Sequence, residues 1–427
     1  MAFNSTSEAQ SRPKNPITEK NFDMVRALRQ VAKQKTKEQG YRTGIGALSQ
    51  SSFLSGTFRP MMRSKKLWRT NVDIRVAVDF WCTNRAEAVE QYGHISHWDV
   101  SSVTDMSRLF KAKDGVLEPM QDSFRGKDLF NDDISMWDVS NVTDMSYMFN
   151  GARAFNKPIG LWNVSKVINM EGMFKNAVTF NQPIGDWILY NVRNMSFMFQ
   201  YARSFNQDIG LWTVSNVIRM RAMFNGATVF NQDIGKWNVA NVTDMTYTFQ
   251  GAKSFNKPIG NWNVSNVTDM NHMFSFTESF NQPISNWDVS NVTNMESMFF
   301  DATSFNQPIG NWNVSRVTNM ESMFLSATSF NEAIGDWDVS SVTNMEGMFM
   351  DANSFNQNLV AWNVANVIDY DNIFNNCPIS EANKPQKFRV NGGSAKKSRR
   401  ASRRASRKRS RKGRRTFKRG TRRTRRR

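Results

Sequence analysis

The stretch FNQPIGNWNVSRVTNMESMFLSATS, residues 305–329, decides the fold, because nearly the same 25 residues recur along most of the chain. Tryptophans mark the recurrence at a constant spacing of 25 residues, from Trp137 to Trp362. Ten copies in register indicate that each unit contacts mainly its neighbours, as in a solenoid. Positions within a unit are counted from its tryptophan, which is position 0.

Four apolar columns in each unit have the spacing of one face of an α-helix. In the unit headed by Trp287, Met occupies positions 8 and 11, Phe position 12 and Ala position 15. These offsets correspond to i, i+3, i+4 and i+7. Thr293 precedes the stripe as a potential N-cap, and the Asp or Asn at position 7 would suit a helix start. The pattern therefore predicts about ten residues of helix in each unit.

The remainder of each unit predicts extended or turn structure. In FNQPI, Phe305 and Ile309 alternate as in a short strand, although Pro308 removes one backbone donor. WNVSRV is a second candidate for the extended side, and the sequence leaves the choice between them open. Asn306 follows the phenylalanine, as Asn does in all ten copies, and a stacked ladder of amides is the simplest reason. The methionines, at helical spacing, are interpreted as core rather than as metal ligands.

Four regions follow from this pattern. Residues 1–70 are predicted to be polar and mostly disordered, and residues 71–97 to form a helical N-terminal cap. Residues 98–380 contain eleven Trp-headed units, with an insertion near residues 111–124. Residues 381–427 are predicted to be a disordered linker and basic tail. A lone unit cannot bury enough apolar surface to offset its ordering cost, so only the stack is stable.

The motifs HWDVSSVTDMSRLF, WDVSNVTDMSYMF and SFNQPIGNWNVS resemble the repeat of BspA-type leucine-rich-repeat surface proteins. That repeat is also known from mycoplasma lipoproteins, and close copies occur in protists, algae and large DNA viruses. The resemblance extends from Asn71 to Ser380. It implies an α/β solenoid, a right-handed leucine-rich-repeat-like stack in which each unit is a short helix plus a short extended segment. It also implies interaction or adhesion rather than catalysis.

The positive charge is concentrated at the C-terminus. The net charge is +19, and Lys396–Arg427 contains 20 Lys or Arg and no acidic residue. Such a tail predicts binding to nucleic acid or another polyanion, with little stacking because Phe417 is its one aromatic residue. A nuclear-import signal, a tether to an anionic membrane, or a merely solvated tail are the alternatives. The candidate polyanion-binding residues are Arg399, Arg400, Arg403, Arg404, Arg407, Lys408, Arg409, Arg414, Arg415, Arg425, Arg426 and Arg427.

Two serines in the tail are candidate phosphorylation sites. Ser402 and Ser406 each end an RRAS motif, which resembles the site preferred by basophilic kinases. Phosphorylation would add about −1.5 to −2 charges at each site and would weaken binding to a polyanion.

Variable columns are the candidate surface for a protein partner. Aromatic residues stand at position 10 in Tyr147, Phe197 and Tyr247, and Tyr201 stands at position 14. The alternative interpretation is a scatter of exposed apolar side chains, which is normal on a soluble protein.

Nothing in the sequence predicts an enzyme. The three histidines, His94, His97 and His272, are not accompanied by a catalytic or metal-binding motif, and no cofactor is predicted. Cys82 and Cys377 do not make a disulfide framework. The chain has no signal-peptide pattern and no apolar run of about 18 residues that would span a membrane.

These observations predict a non-enzymatic scaffold for protein contacts, with a polycationic tail. The alternative is a BspA-type cell-surface adhesin that interacts with a host. A location inside the cell, in the nucleus, or in a virion is favoured, and the cell surface remains the alternative.

Overall fold

The computed structural model describes residues 67–112 and 126–389. Predictions for the remaining residues, including the basic tail with Ser402 and Ser406, lie outside this part of the chain. Its two α-helices are α1, Asp73–Thr83, and α2, Arg85–Tyr92, and both lie within the segment predicted as the N-terminal cap. Short 3-10 turns occur at Ile95–His97, Lys127–Leu129, Glu381–Asn383 and Gln386–Phe388.

The prediction of a helix in each unit is wrong. Among the described residues no α-helix occurs after Tyr92, and positions 8–15 form overlapping β-turns instead. In the Trp287 unit, the N–H groups of Met298, Phe300 and Ala302 donate to carbonyls three residues earlier, at 3.2, 3.2 and 3.1 Å. The apolar columns nevertheless face inward. The side chains at positions 8, 11, 12 and 15 lie on one side of these turns, as they would on one face of a helix.

The alternate amides in this segment point along the stack. The N–H groups of Met295, Ser297, Phe299 and Asp301 donate to carbonyls of the following unit, at 2.8–3.0 Å. This alternation needs a left-handed backbone at two positions, and Ser297 and Asp301 have φ of 53° and 54°. In the turns closed by Met298 and Ala302 these residues stand at the third position, which has positive φ in a type II turn.

A one-residue parallel bridge joins successive units at position 7. The bridges run without interruption from Asp105 to Asp369. Asp or Asn suits this position because the side-chain oxygen accepts the N–H two residues later, as Asn294 does from Glu296 at 3.1 Å. These residues therefore close local turns and do not cap helices. Neither predicted extended segment, FNQPI nor WNVSRV, forms a strand in the described structure.

The predicted amide ladder is confirmed. The side-chain oxygen of Asn281 accepts the backbone N–H of Asn306 at 2.9 Å and Nε2 of Gln307 at 2.8 Å. The first of these bonds recurs at the same register from Asn131 to Asn356, so one side chain per unit binds the backbone of the next.

The core consists of columns of identical side chains. The ring of Phe299 lies 4.0 Å from that of Phe305 in its own unit and 5.6 Å from that of Phe324 in the next, measured between centroids. Trp312 is buried, and its Nε1 donates to the carbonyl of Ile284 at 3.1 Å. The methionines at positions 8 and 11 are fully buried, which confirms that they belong to the core.

The N-terminal end is covered by α1, which buries Ile74, Val78 and Trp81. The guanidinium of Arg69 lies 4.8 Å from the ring centre of Tyr92 and 4.7 Å from that of Trp98. A charged group buried in this way is stabilised by the facing rings and by its acidic neighbour Asp73, 3.3 Å away.

The C-terminal end extends beyond the predicted boundary at residue 380, so the prediction that disorder begins at residue 381 is wrong for residues 381–389. Nζ of Lys387 donates to the carbonyls of Val364, Ala365 and Val367, at 3.0, 3.3 and 2.7 Å. This segment therefore satisfies backbone acceptors at the C-terminal end of the stack.

Asn281→Ala tests the amide ladder. The change leaves the half-buried N–H of Asn306 without its acceptor, and a fully buried donor without a partner costs about 1–3 kcal/mol, which sets the upper range of the effect. We expect a lower urea midpoint of unfolding, measured by tryptophan fluorescence. Asn261→Ala, at an exposed position, is the control and should leave the midpoint unchanged. Equal urea midpoints for the two variants would show that the amide ladder does not stabilise the fold.

Candidate interaction surface

The turn segment, defined as positions 7–15 of each unit, varies most at positions 9, 10, 13 and 14. The columns at positions 8, 11, 12 and 15 are nearly invariant and buried, whereas the variable positions range from buried, as at Ala222, Thr246 and Ser275, to exposed, as at Tyr201. Because alternate amides bond to the neighbouring unit, the outer side chains are held at a regular spacing of about 5 Å along the stack.

The aromatic residues predicted at position 10 pack against their own stack. The hydroxyl of Tyr147 donates to Glu171, and its ring occupies the space beside Gly172, where an added Cβ would lie 2.5 Å from it. A large side chain in one unit thus lies over a small one in the next. The bond to Glu171 and burial raise the pKa of Tyr147 above its usual range, with burial the larger cause.

The other two position-10 aromatics contact cations or rings of neighbouring units. Nζ of Lys175 lies 5.2 Å from the ring centre of Phe197. The ring of Tyr247 lies between the guanidinium of Arg221, at 5.1 Å, and the ring of His272, at 4.8 Å. All three predicted aromatics at this position are therefore half-buried, and they do not form one continuous exposed stripe.

Tyr201 is the most exposed of the four predicted residues. Its side chain is 42% accessible, and its ring lies beside Gly226, where an added Cβ would come within 2.3 Å. The φ of +68° at Gly226 is also one that favours glycine. Tyr201 thus combines a fixed ring position with an accessible face.

Sequence reasoning missed a second group of exposed apolar side chains, in the four successive units headed by Trp137, Trp162, Trp187 and Trp212. The signal was present, because most other units have a polar residue before the tryptophan, Thr at position 6 and Ser at position 3. Leu211, the residue before Trp212, is 79% accessible. The members are Leu161, Ile168, Tyr190, Leu211 and Ile218.

The histidines and cysteines do not form a reactive centre in the described structure. His94 and His97 have ring centroids 5.9 Å apart, and burial together with His97 lowers the pKa of His94. Burial raises the pKa of the Cys82 thiol to about 12, and Cys82 and Cys377 are both free. Within residues 67–112 and 126–389, no three His, Cys, Asp or Glu side chains are grouped as metal ligands would be.

The helices in the described part of the chain are too short or too polar to cross a bilayer. The candidate polyanion-binding residues, from Arg399 to Arg427, lie outside that part, so their predicted role stays a prediction.

Tyr247→Ser tests whether the position-10 aromatics stabilise the stack. The change removes the contacts with Arg221 and His272, and we expect a loss of about 1–2 kcal/mol in the free energy of unfolding. Tyr190→Ser is the control, because Tyr190 is 49% accessible. A Tyr247→Ser variant as stable as the control in urea denaturation would show that the ring contributes nothing to the fold.

Comparison with known protein families gives one match. The model of the family described as "Mycoplasma protein of unknown function, DUF285" matches residues 82–119, 115–212, 195–307 and 276–388. Comparison with curated proteins and with solved structures finds no match. The matched segments overlap and together span residues 82–388, well over half of the 427 residues. The chain therefore belongs to this Mycoplasma-type repeat family.

Proposed function

We propose that the chain is a non-enzymatic interaction scaffold: a right-handed, leucine-rich-repeat-like solenoid whose lateral surface binds a protein, joined to a basic tail that binds nucleic acid or another polyanion. One observation carries the scaffold part of the proposal. The units are joined at the same positions from Asp105 to Asp369 and share a nearly invariant core, while most of their variation lies outside that core. Stacked units with a constant interior and a variable exterior are the usual platform for protein recognition.

The exposed apolar group supports a protein partner. Leu161, Leu211 and Ile168 replace the polar residues that most other units carry at the same positions. Exposed apolar side chains in four successive units provide the desolvated centre that a protein interface needs. The same group favours the second candidate function, a BspA-type adhesin, because adhesion also requires a protein-binding surface.

The composition of the tail supports the polyanion part of the proposal. Lys396–Arg427 contains 20 cationic residues in 32, with Ser, Ala, Gly and Thr between them. Cations at this density bind phosphate backbones by releasing counterions, with little preference for base sequence. A protein that binds its partner on the stack would then bring that partner close to nucleic acid. A location in the nucleus or in a virion is part of the same proposal.

Removal of the tail tests the polyanion part of the proposal. We expect the full chain to bind a 20-nucleotide single strand with an affinity that falls steeply with salt. If about ten phosphates are contacted, the slope of log K against log salt is about −7 for single strands and −9 for duplex DNA. The chain ending at Gly393 should lose this binding while keeping its urea midpoint.

Two controls make this result specific. A duplex of the same length distinguishes a preference for single strands, and anionic vesicles containing phosphatidylserine distinguish a membrane tether. Equal affinity of the full and shortened chains for the oligonucleotide, or a slope near zero, would contradict the assignment of binding to the tail.

A further inference from the structure

Charge is distributed unevenly along the stack. The five units from Trp137 to Asn261 contain eleven Lys or Arg and seven Asp or Glu, a net charge of +4. The segment from Trp262 to Ser380 contains one arginine, Arg316, and thirteen Asp or Glu, a net charge of −12. The half of the stack that adjoins the basic tail is thus the strongly acidic half.

Four of these acids form a column at position 9, consisting of Glu296, Glu321, Glu346 and Asp371. Because the units are in register, successive members lie about 5 Å apart along the stack. Burial, and secondarily the charge of Glu321, raises the pKa of Glu296. Like charges at this spacing repel each other, so the column favours a cationic partner.

An apolar column accompanies the acids on the same turn segment. Phe300, Leu325 and Met350 are half-buried at position 13, where the first units have Lys, Asn or Gln. In the first half of the stack, cations such as Lys175 lie against the aromatic rings of neighbouring units. The second half therefore offers carboxylates and apolar side chains, with a single arginine among its own residues.

The chain that leads to the tail is already folded onto this half. Nζ of Lys384 lies 5.4 Å from the ring centre of Phe374, and Nζ of Lys387 lies 5.8 Å from that of Tyr370. The ring of Phe388 lies 5.1 Å from that of Tyr370. The chain thus leaves the stack beside the turn that contains Asp371, the last member of the acidic column.

The distances allow the tail to follow the column. Residues 390–395 separate the described end from Lys396, and six extended residues span at most about 20 Å. Four stacked units extend over about 15 Å. The tail can therefore reach every carboxylate of the column without unfolding any described contact, whereas the first half of the stack would repel it.

We propose that the basic tail, Lys396–Arg427, docks on the acidic column of its own chain, made by Glu296, Glu321, Glu346 and Asp371. The docked tail is held by ion pairs to these carboxylates, in continuity with the contacts of residues 381–389. The acidic column then competes with nucleic acid for the tail, a consequence that rests on the proposed polyanion binding. A polyanion must displace the column before it binds.

Zero-length carbodiimide cross-linking of the full chain tests the docking itself. The tail contains Lys396, Lys397, Lys408, Lys412 and Lys418 as reactive amines. At low protein concentration and low salt, we expect amide links from these lysines to the acidic column, mapped by mass spectrometry, and their loss in 0.5 M salt. Links that favour acids of residues 137–261, or links found only between isotope-mixed copies, would overturn docking within one chain.

A quadruple neutralisation tests the competition. Glu296→Gln, Glu321→Gln, Glu346→Gln and Asp371→Asn keep side-chain acceptors, and Asn271 already stands at position 9 of an earlier unit. The matched control changes the net charge equally in the first half, through Asp138→Asn, Asp186→Asn, Asp208→Asn and Asp233→Asn. We expect the first variant, but not the control, to bind the 20-nucleotide strand at least about fivefold more tightly than the unchanged chain.

The two proposals fail in different ways. Equal affinities for both variants would overturn the competition. Specific cross-links in the unchanged chain, with no oligonucleotide binding by either that chain or the quadruple variant, would support docking and remove the polyanion function. Tight, salt-dependent binding without cross-links to the acidic column would leave the polyanion function and overturn docking.

Discussion

The direction of alternate backbone amides is the constraint on which this structure depends. Within positions 8–15, one set of N–H groups closes turns inside the unit, and the set between them bonds to the next unit. Each unit therefore satisfies part of its neighbour's backbone, and no unit is complete without another. The same alternation holds every side-chain column in register, which produces the stacked phenylalanines and tryptophans of the core.

This dependence of each unit on its neighbour explains why both ends of the stack are covered by other segments of the chain. At the N-terminus, α1 supplies an apolar face, and Arg69 fills the space between two rings. At the C-terminus, the amine of Lys387 binds backbone carbonyls of the last unit. A cation is suitable there because several carbonyl oxygens converge on one point. The cationic residues of the C-terminal region thus begin within the described structure, which includes Lys387.

The period, the buried columns and the asparagine ladder could all be predicted from the sequence. The turn conformation could not be predicted from apolar spacing, because a helix and a run of overlapping turns bury the same columns. A better signal was available at position 14, where Gly, Asn or Asp predominates, as at Gly151, Asn176 and Gly226. These residues adopt left-handed conformations most readily.

The candidate surfaces could be predicted from the sequence to different extents. Tyr147, Phe197 and Tyr247 were identified as variable, but only coordinates place them against small residues, cations and rings of adjacent units. The sequence shows that Leu211 is apolar where most units have a polar residue. Its exposure to solvent, however, could be known only from the structure. The net charge of each half of the stack can be counted from the sequence alone. The stacking of the units then shows that the acidic half is the one that adjoins the tail.

The most direct measurement of the backbone alternation compares two serine-to-valine changes in one unit. Ser322 has a φ of 56°, a conformation that a β-branched residue strongly disfavours. Ser329 is exposed at position 17, where Val229 occurs naturally in another unit. We expect Ser322→Val to lower the free energy of unfolding by about 1–2 kcal/mol in urea and Ser329→Val to leave it unchanged. A Ser322→Val protein as stable as the Ser329→Val protein would contradict the left-handed backbone that the alternation requires.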